Sequence, residues 1–191
     1  MENKEKNSET PRLFFAVAVP EVIGAELENL KKRIHELKKR DFTKLHITLR
    51  FLGDTPADLI APMESLVRES LEEEADHSPF SLTAKGLFTF RKRPPAALFV
   101  GLAEENPLEK LRGVLDSALK KLPGTELKDD VFRPHITLTR LRRPFSNTLT
   151  TALAEEPRVF GTFEVREFFL FKSELLPGGA RHTALARFPL K

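Results

Sequence analysis

The 191 residues predict an α+β chain built as two related lobes, and three observations carry that prediction. Strand-like and helix-like stretches alternate with no glycine-rich phosphate loop among them, which favours antiparallel or mixed sheets flanked by helices. The tetrapeptide His-Ile-Thr-Leu occurs twice, beginning at His46 and, 89 residues on, at His135. A single interval of that length is unlike the ~20 to 50 residue period of a solenoid and fits two copies of a small unit facing one another. Each copy ends the same rough order of strand, helix and histidine-bearing strand.

Residues 12–19, Arg-Leu-Phe-Phe-Ala-Val-Ala-Val, read as a strand closed by Pro20. From Glu21 to Arg40 apolar residues fall at Val22, Ile23, Leu27, Leu30, Ile34 and Leu37, the three-and-four spacing of a helix. Lys44 to Leu52 alternates as a strand ended by Gly53-Asp54, and Pro56 to Glu74 reads as a second helix with Leu59, Met63, Leu66, Val67 and Leu71 inward. Phe80 to Phe90 and Ala96 to Leu102 are strands, joined through Arg91-Lys92-Arg93-Pro94-Pro95, too long and proline-bearing for a two-residue hairpin. Pro107 opens a third helix to Leu122, with Leu108, Leu111, Leu115, Leu119 and Leu122 on one face and Pro123-Gly124 as its stop. Asp130 to Leu141 returns as a strand, and Ser146 caps a short helix to Glu155. Strands at 162–172 and 181–188, separated by Pro177-Gly178-Gly179, close the chain.

Composition narrows the function. With no cysteine there are no disulfides, thiolate metal sites or cysteine nucleophile, which suits a reducing cytoplasm. No apolar run approaches the ~20 residues that cross a bilayer, and the polar start from Met1 to Thr10 reads as a flexible tail before one domain over 11–191. The net charge is +3, and basic residues cluster at Lys31-Lys32-Arg33, Lys38-Lys39-Arg40, Arg91-Lys92-Arg93 and Arg142-Arg143. Such runs serve a polyanion or simply a solvated surface. Sixteen phenylalanines with no tyrosine or tryptophan supply flat apolar rings, chiefly for the core.

The repeat supplies the chemistry. Successive strand residues face opposite sides, so His46 shares a face with Thr48, and His135 with Thr137, while the Ile and Leu of each copy pack behind. Imidazole and hydroxyl then stand ~6 to 7 Å apart along each strand. Two imidazoles with ordinary pKa near 6.5 can divide the roles of acid and base, and the hydroxyls suit the non-bridging oxygens of a phosphate. Closely spaced zinc-binding histidines are absent and no serine occupies a nucleophile elbow, so metal, cofactor and covalent intermediate are all left out of the expectation. His35, in a lysine-rich helix, and His77, in an acidic loop, read as solvated.

The segments His46-Ile-Thr-Leu-Arg-Phe-Leu-Gly53 and Arg133-Pro-His-Ile-Thr-Leu-Thr-Arg140 resemble the paired motifs of the two-histidine (2H) phosphoesterases, in particular the LigT-like RNA 2',3'-cyclic phosphodiesterases. The likeness extends to Arg12-Leu-Phe-Phe-Ala-Val, Gly86-Leu-Phe, Phe171-Lys-Ser-Glu-Leu-Leu-Pro-Gly178 and Ala186-Arg-Phe-Pro-Leu190. It implies a bilobal LigT-like fold with a cleft between two pseudo-symmetric sheets. It also implies hydrolysis of an RNA terminal 2',3'-cyclic phosphate to a 2'-phosphomonoester, with reversible 2'-5' ligation as a further capacity.

By that resemblance His46 is the proton donor to the departing 3'-oxygen and His135 the acceptor that takes a proton from water. Thr48 and Thr137 hold phosphate oxygens, and Arg140 or Arg133 neutralises the phosphate charge. Strict alternation puts Arg140 on the face opposite His135, so its reach requires a twist or bulge; Arg133 has the right parity but precedes Pro134. Where the family carries an aromatic residue and a Pro-Glu-Asn-like loop before the first motif, this chain has Arg40-Asp-Phe-Thr-Lys-Leu45, which makes Phe42 the base-stacking candidate. His182 takes the place of a family aromatic and reads as an exposed or edge-strand residue. The expected partner is an RNA or oligonucleotide end with a 2',3'-cyclic phosphate, met by a cytoplasmic monomer without membrane contact. The alternatives are a non-catalytic nucleotide or RNA-binding module of this fold, and a 2H enzyme for another cyclic or 2'-5' phosphodiester.

Overall fold

The computed structural model describes residues 10–38, 40–41, 44–74, 78–91, 95–125, 127, 131–155, 158–176 and 179–191. In chain order the elements are β1 (Arg12–Ala18), α1 (Glu21–Arg33), β2 (His46–Asp54), α2 (Ile60–Glu73), β3 (Phe80–Thr89), β4 (Ala96–Leu102), α3 (Asn106–Lys120), β5 (Ile136–Leu141), α4 (Asn147–Ala154), β6 (Val159–Val165), β7 (Glu167–Leu176) and β8 (Gly179–Pro189). The α+β expectation holds, and every strand pairing is antiparallel.

The strands lie in the order β6-β3-β4-β5-β2-β1-β7-β8. This sheet consists of two four-stranded halves that meet at a single paired position, Ile47 opposite Ile136. From the junction outward one half runs β2, β1, β7, β8 and the other β5, β4, β3, β6, each led by a histidine strand. In β1, Leu13, Phe15 and Val17 join the apolar core beneath the helices, and in β4 Ala96, Leu98, Val100 and Leu102 do the same. Phe14 and Phe99, of opposite parity, face the other side of the sheet with the histidines.

The helices tie the halves together. Helix α1, which links β1 to β2, packs on β6 of the other half, while α3, which links β4 to β5, packs on β2. Gly161 in β6 is required by the first contact: its φ is +139°, and a Cβ there would lie 2.8 Å from Ile23 Cδ1. The leucine face predicted for α3 is buried, with Pro107 in its first turn. Ser146 caps α4 as expected, accepting from Leu149 N, while its own N and Oγ both donate to the Glu36 carboxylate.

The largest differences from the expected boundaries are three. The first helix stops at Arg33 rather than Arg40, because Ile34 turns extended (φ −112°, ψ 113°) and a 3-10 turn over His35–Leu37 buries Ile34 and Leu37 fully. The strand expected from Asp130 begins at Ile136, after Pro134, which has no N–H to give a ladder. The strand expected over 162–172 is two strands, β6 and β7, broken at Arg166. Buried Phe163 and Val165 alternate in one phase, and buried Phe168 and Leu170 in the other, because β6 pairs with β3 in one half and β7 with β1 in the other.

Candidate active site

The junction puts the two motifs in register through their own second residues. The Ile47–Ile136 pair is antiparallel, so continuing that register by one residue each way sets His46 across from Thr137 and Thr48 across from His135. Cross-strand neighbours in a regular ladder stand about 4.5 to 5.5 Å apart, and by parity the four polar side chains belong to one face of the sheet at the junction. Ile47, Leu49, Ile136 and Leu138 are buried behind them, as alternation requires. His135 is near enough to His46 to disfavour the charged form of the His46 ring.

Each imidazole is anchored by the chain two residues upstream. His135 Nδ1 lies 2.7 Å from the Arg133 carbonyl oxygen, and His46 hydrogen-bonds to the Lys44 backbone. When His135 Nδ1 donates to that carbonyl, its Nε2 is left for a ligand. Burial, followed by the charges of His182 and His135, lowers the His46 pKa to about 4, against the opposing effect of the Lys44 bond.

Beyond the shared tetrapeptides both strands bulge. The register slips at Leu49 in β2, where Phe15 faces Arg50 and Ala16 faces Thr48, and at Leu138 in β5, where Leu98 faces Thr139 and Phe99 faces Thr137. Two consecutive inward residues result in each, Leu49-Arg50 and Leu138-Thr139. The fifth residue after each histidine is thereby returned to the cleft face: exposed Phe51 after His46, and exposed Arg140 after His135. This bulge resolves the parity problem for Arg140. Arg133 is also exposed and lines the pocket at His135. Phe42 lies outside the described residues, as does His77.

The sequence reading missed most of the aromatic surround. Phe14 lies 5.1 Å, centroid to centroid, from His46 and stacks between Phe51 and Phe171. Phe90 and Phe99 meet the edge of His135 at 4.8 and 5.1 Å. Strand parity would have found Phe14 and Phe99, but Phe51 needs the bulge. His182 is on the edge strand β8, as expected, yet it is half-buried rather than exposed. Its ring stands edge-on to His46 at 5.1 Å and to Phe14 at 5.0 Å, because the β7–β8 pairing brings it over the β1–β2 end of the cleft. Among the described residues no three His, Asp or Glu side chains group as metal ligands, and no helix is long and apolar enough to cross a membrane.

The chain is similar in sequence and fold to known proteins. A family model described as the 2'-5' RNA ligase superfamily matches residues 19–175. A protein of Archaeoglobus fulgidus named RNA 2',3'-cyclic phosphodiesterase is 30% identical, over 93% of this chain and 99% of its own length. One of the same name from Thermus thermophilus is 30% identical over 94% of this chain and 90% of its own. The crystal structure of E. coli LigT in apo form superposes with a TM-score of 0.75 at 26% identity, covering 96% of this chain and 99% of that one, and LigT complexed with 3'-AMP gives 0.73 at 27%. With the family model spanning most of the chain and relatives matched nearly end to end, the chain belongs to the 2'-5' RNA ligase superfamily.

Proposed function

We propose that this protein hydrolyses the 2',3'-cyclic phosphate at an RNA end to a 2'-phosphomonoester by general acid and base catalysis from two histidines, with 2'-5' bond formation as the reverse of the related cleavage. The observation that supports the reading is the antiparallel Ile47–Ile136 pair, across which the two His-Ile-Thr-Leu copies are related by a local twofold rotation. Similarity to relatives named RNA 2',3'-cyclic phosphodiesterase supports the substrate class. On the same reading, one two-lobed domain works as a cytoplasmic monomer without a cofactor.

His46 donates a proton to the departing 3'-oxygen while His135 removes one from the attacking water. Thr48 and Thr137 donate hydroxyl hydrogen bonds to the non-bridging oxygens, and Arg140, with Arg133 nearby, offsets the charge that builds there. In the free protein His46 is held largely without its proton at neutral pH. The phosphate anion, arriving between the imidazoles, raises its affinity and recruits the proton that the leaving group needs.

The test is turnover of adenosine 2',3'-cyclic phosphate in the presence of a chelator. His46→Ala and His135→Ala should each lose at least about 100-fold in kcat, and activity persisting in both would overturn the reading. A phosphodiester with a p-nitrophenolate leaving group assigns the roles, because it needs no acid: His46→Ala should retain far more of the wild-type rate on it than His135→Ala. Nucleotide binding without product would indicate a binding module, and preference for a different cyclic or 2'-5' phosphodiester would redirect the substrate.

A further inference from the structure

A cavity of about 600 Å³ opens beside His135, its wall including Lys85, Phe88, Phe90, Phe99 and Arg133. One side of it is aromatic. Phe90 stacks on Phe99 with centroids 4.3 Å apart, and Phe88 tilts against Phe99 at 5.7 Å. Phe90 and Phe88 are still 44% and 43% exposed, so both have ring surface left for a guest. Gly101 makes room for this arrangement, since a Cβ there would lie 2.9 Å from the Phe88 ring. The size suits a nucleoside, and flat rings beside two cations are the chemistry that recognises one next to a phosphate.

The position of the cavity decides which nucleoside it takes. In-line displacement puts the incoming and departing oxygens on opposite sides of phosphorus. With His46 at the departing 3'-oxygen, His135 stands at the incoming side, where the cavity opens. We propose that the cavity is an acceptor-nucleoside subsite, holding the nucleoside whose 5'-oxygen joins to or leaves from phosphorus. The inference rests on the proton roles assigned above. In the cleavage direction the ribose 3'-hydroxyl of a 2'-5' dinucleotide attacks phosphorus and gives its proton to His46. The P–O5' bond breaks, and the departing 5'-oxygen takes a proton from His135. The products are a 2',3'-cyclic phosphate and a nucleoside with a free 5'-hydroxyl, and ligation is the same step reversed. When the cyclic phosphate is hydrolysed, water takes the acceptor's place and the cavity is not needed for the substrate.

Two substrates separate these cases: 2'-5'-linked ApA, which carries the acceptor nucleoside, and adenosine 2',3'-cyclic phosphate, which does not. In Phe90→Ala and in Phe88→Ala the ratio of kcat/KM for ApA to that for the cyclic phosphate should fall roughly tenfold or more, with KM for ApA rising. Lys85→Ala, an exposed change that leaves the core alone, should lower the ratio in the same direction. Equal losses on both substrates would place the cyclic phosphate's own nucleoside in the cavity and overturn the proposal. So would a wild-type enzyme that hydrolyses the cyclic phosphate but leaves ApA intact. Failure of the wild type on both substrates would instead defeat the functional reading on which the proposal stands.

Discussion

At His46 a half-buried imidazole is kept without its proton by its surroundings, and two of the groups responsible are themselves histidines. The cause acting most strongly is burial, which disfavours the charged ring, and His182 adds to it from β8 as a second ring that competes for protons on acidification. His182 has its own affinity lowered, by burial first and then by the charge of Lys44. The groups facing His46 are thus His182 from β8, His135 just before β5 and the Lys44 backbone just before β2, with uncharged Phe14 from β1. The sign for catalysis follows. As the proton donor His46 must hold its proton, and in the free enzyme it does so only below about 4, so the limb of kcat/KM that reports His46 is the one on which activity falls as pH rises, with its midpoint near that value. Exchanging His182 for a residue that never carries charge removes one lowering influence and should move the limb upward, toward 6.5, without abolishing turnover. A pH–rate profile of His182→Gln against wild type checks this. An unmoved limb would mean that His182 has no part in setting the proton affinity of His46.

The two histidine strands begin alike and diverge where they bulge, and that divergence is the asymmetry that identical motifs require. After His-Ile-Thr-Leu, β2 continues Arg50-Phe51 and β5 continues Thr139-Arg140. The bulge sends the first residue of each pair inward and the second to the cleft, so one side receives an aromatic ring and the other a guanidinium. A guanidinium facing phosphate contributes about 1.5 to 3 kcal/mol, so Arg140→Ala should lower kcat/KM on the cyclic phosphate about 10- to 100-fold. Arg140→Lys should recover part of that, keeping the charge but not the bidentate fork. Steady-state kinetics of the two variants settles it, and a neutral Arg140→Ala would leave the charge to Arg133. Much of this site was legible in the sequence. The repeat located both histidines, and period-two alternation assigned Thr48 and Thr137 to their face. Alternation failed at Arg140 and Phe51 because a bulge adds one residue, and nothing in Leu-Arg or Leu-Thr announces it. What His182 meets from that edge was not legible for another reason: strand pairing at long sequence separation, β8 to β7 to β1, decides it.

For the whole molecule, the sheet has a weak seam where its function lies, since the halves share one paired position between β2 and β5. Helices crossing from one half to the other offset that weakness, and their attachment is polar as well as apolar. Arg50, buried in β2, donates to Asp116 on α3 through both Nε, at 2.7 Å, and Nη2, while Arg112 lies 3.6 Å from the same carboxylate. Arg112 in turn covers the Phe132 ring at 4.7 Å, just before Arg133-Pro134-His135. A chain of contacts therefore runs from the strand of His46 to the segment that delivers His135. This clamp was not legible beforehand, because an arginine one residue past a motif reads as readily as a ligand contact as it does as an inward ion pair. Removing the carboxylate leaves a buried guanidinium without it, a loss of about 3 to 5 kcal/mol. Asp116→Ala should accordingly show a lower denaturant midpoint. The double replacement Arg50→Met with Asp116→Leu should regain most of that stability, because an apolar pair of similar volume needs no charge partner. If the clamp also fixes the spacing of the imidazoles, Asp116→Ala should lower kcat while folded and leave KM less affected. Denaturant unfolding and kinetics on the same samples decide the matter: a single variant with wild-type stability and kcat would show that apolar packing of α3 on β2 alone holds the halves in register.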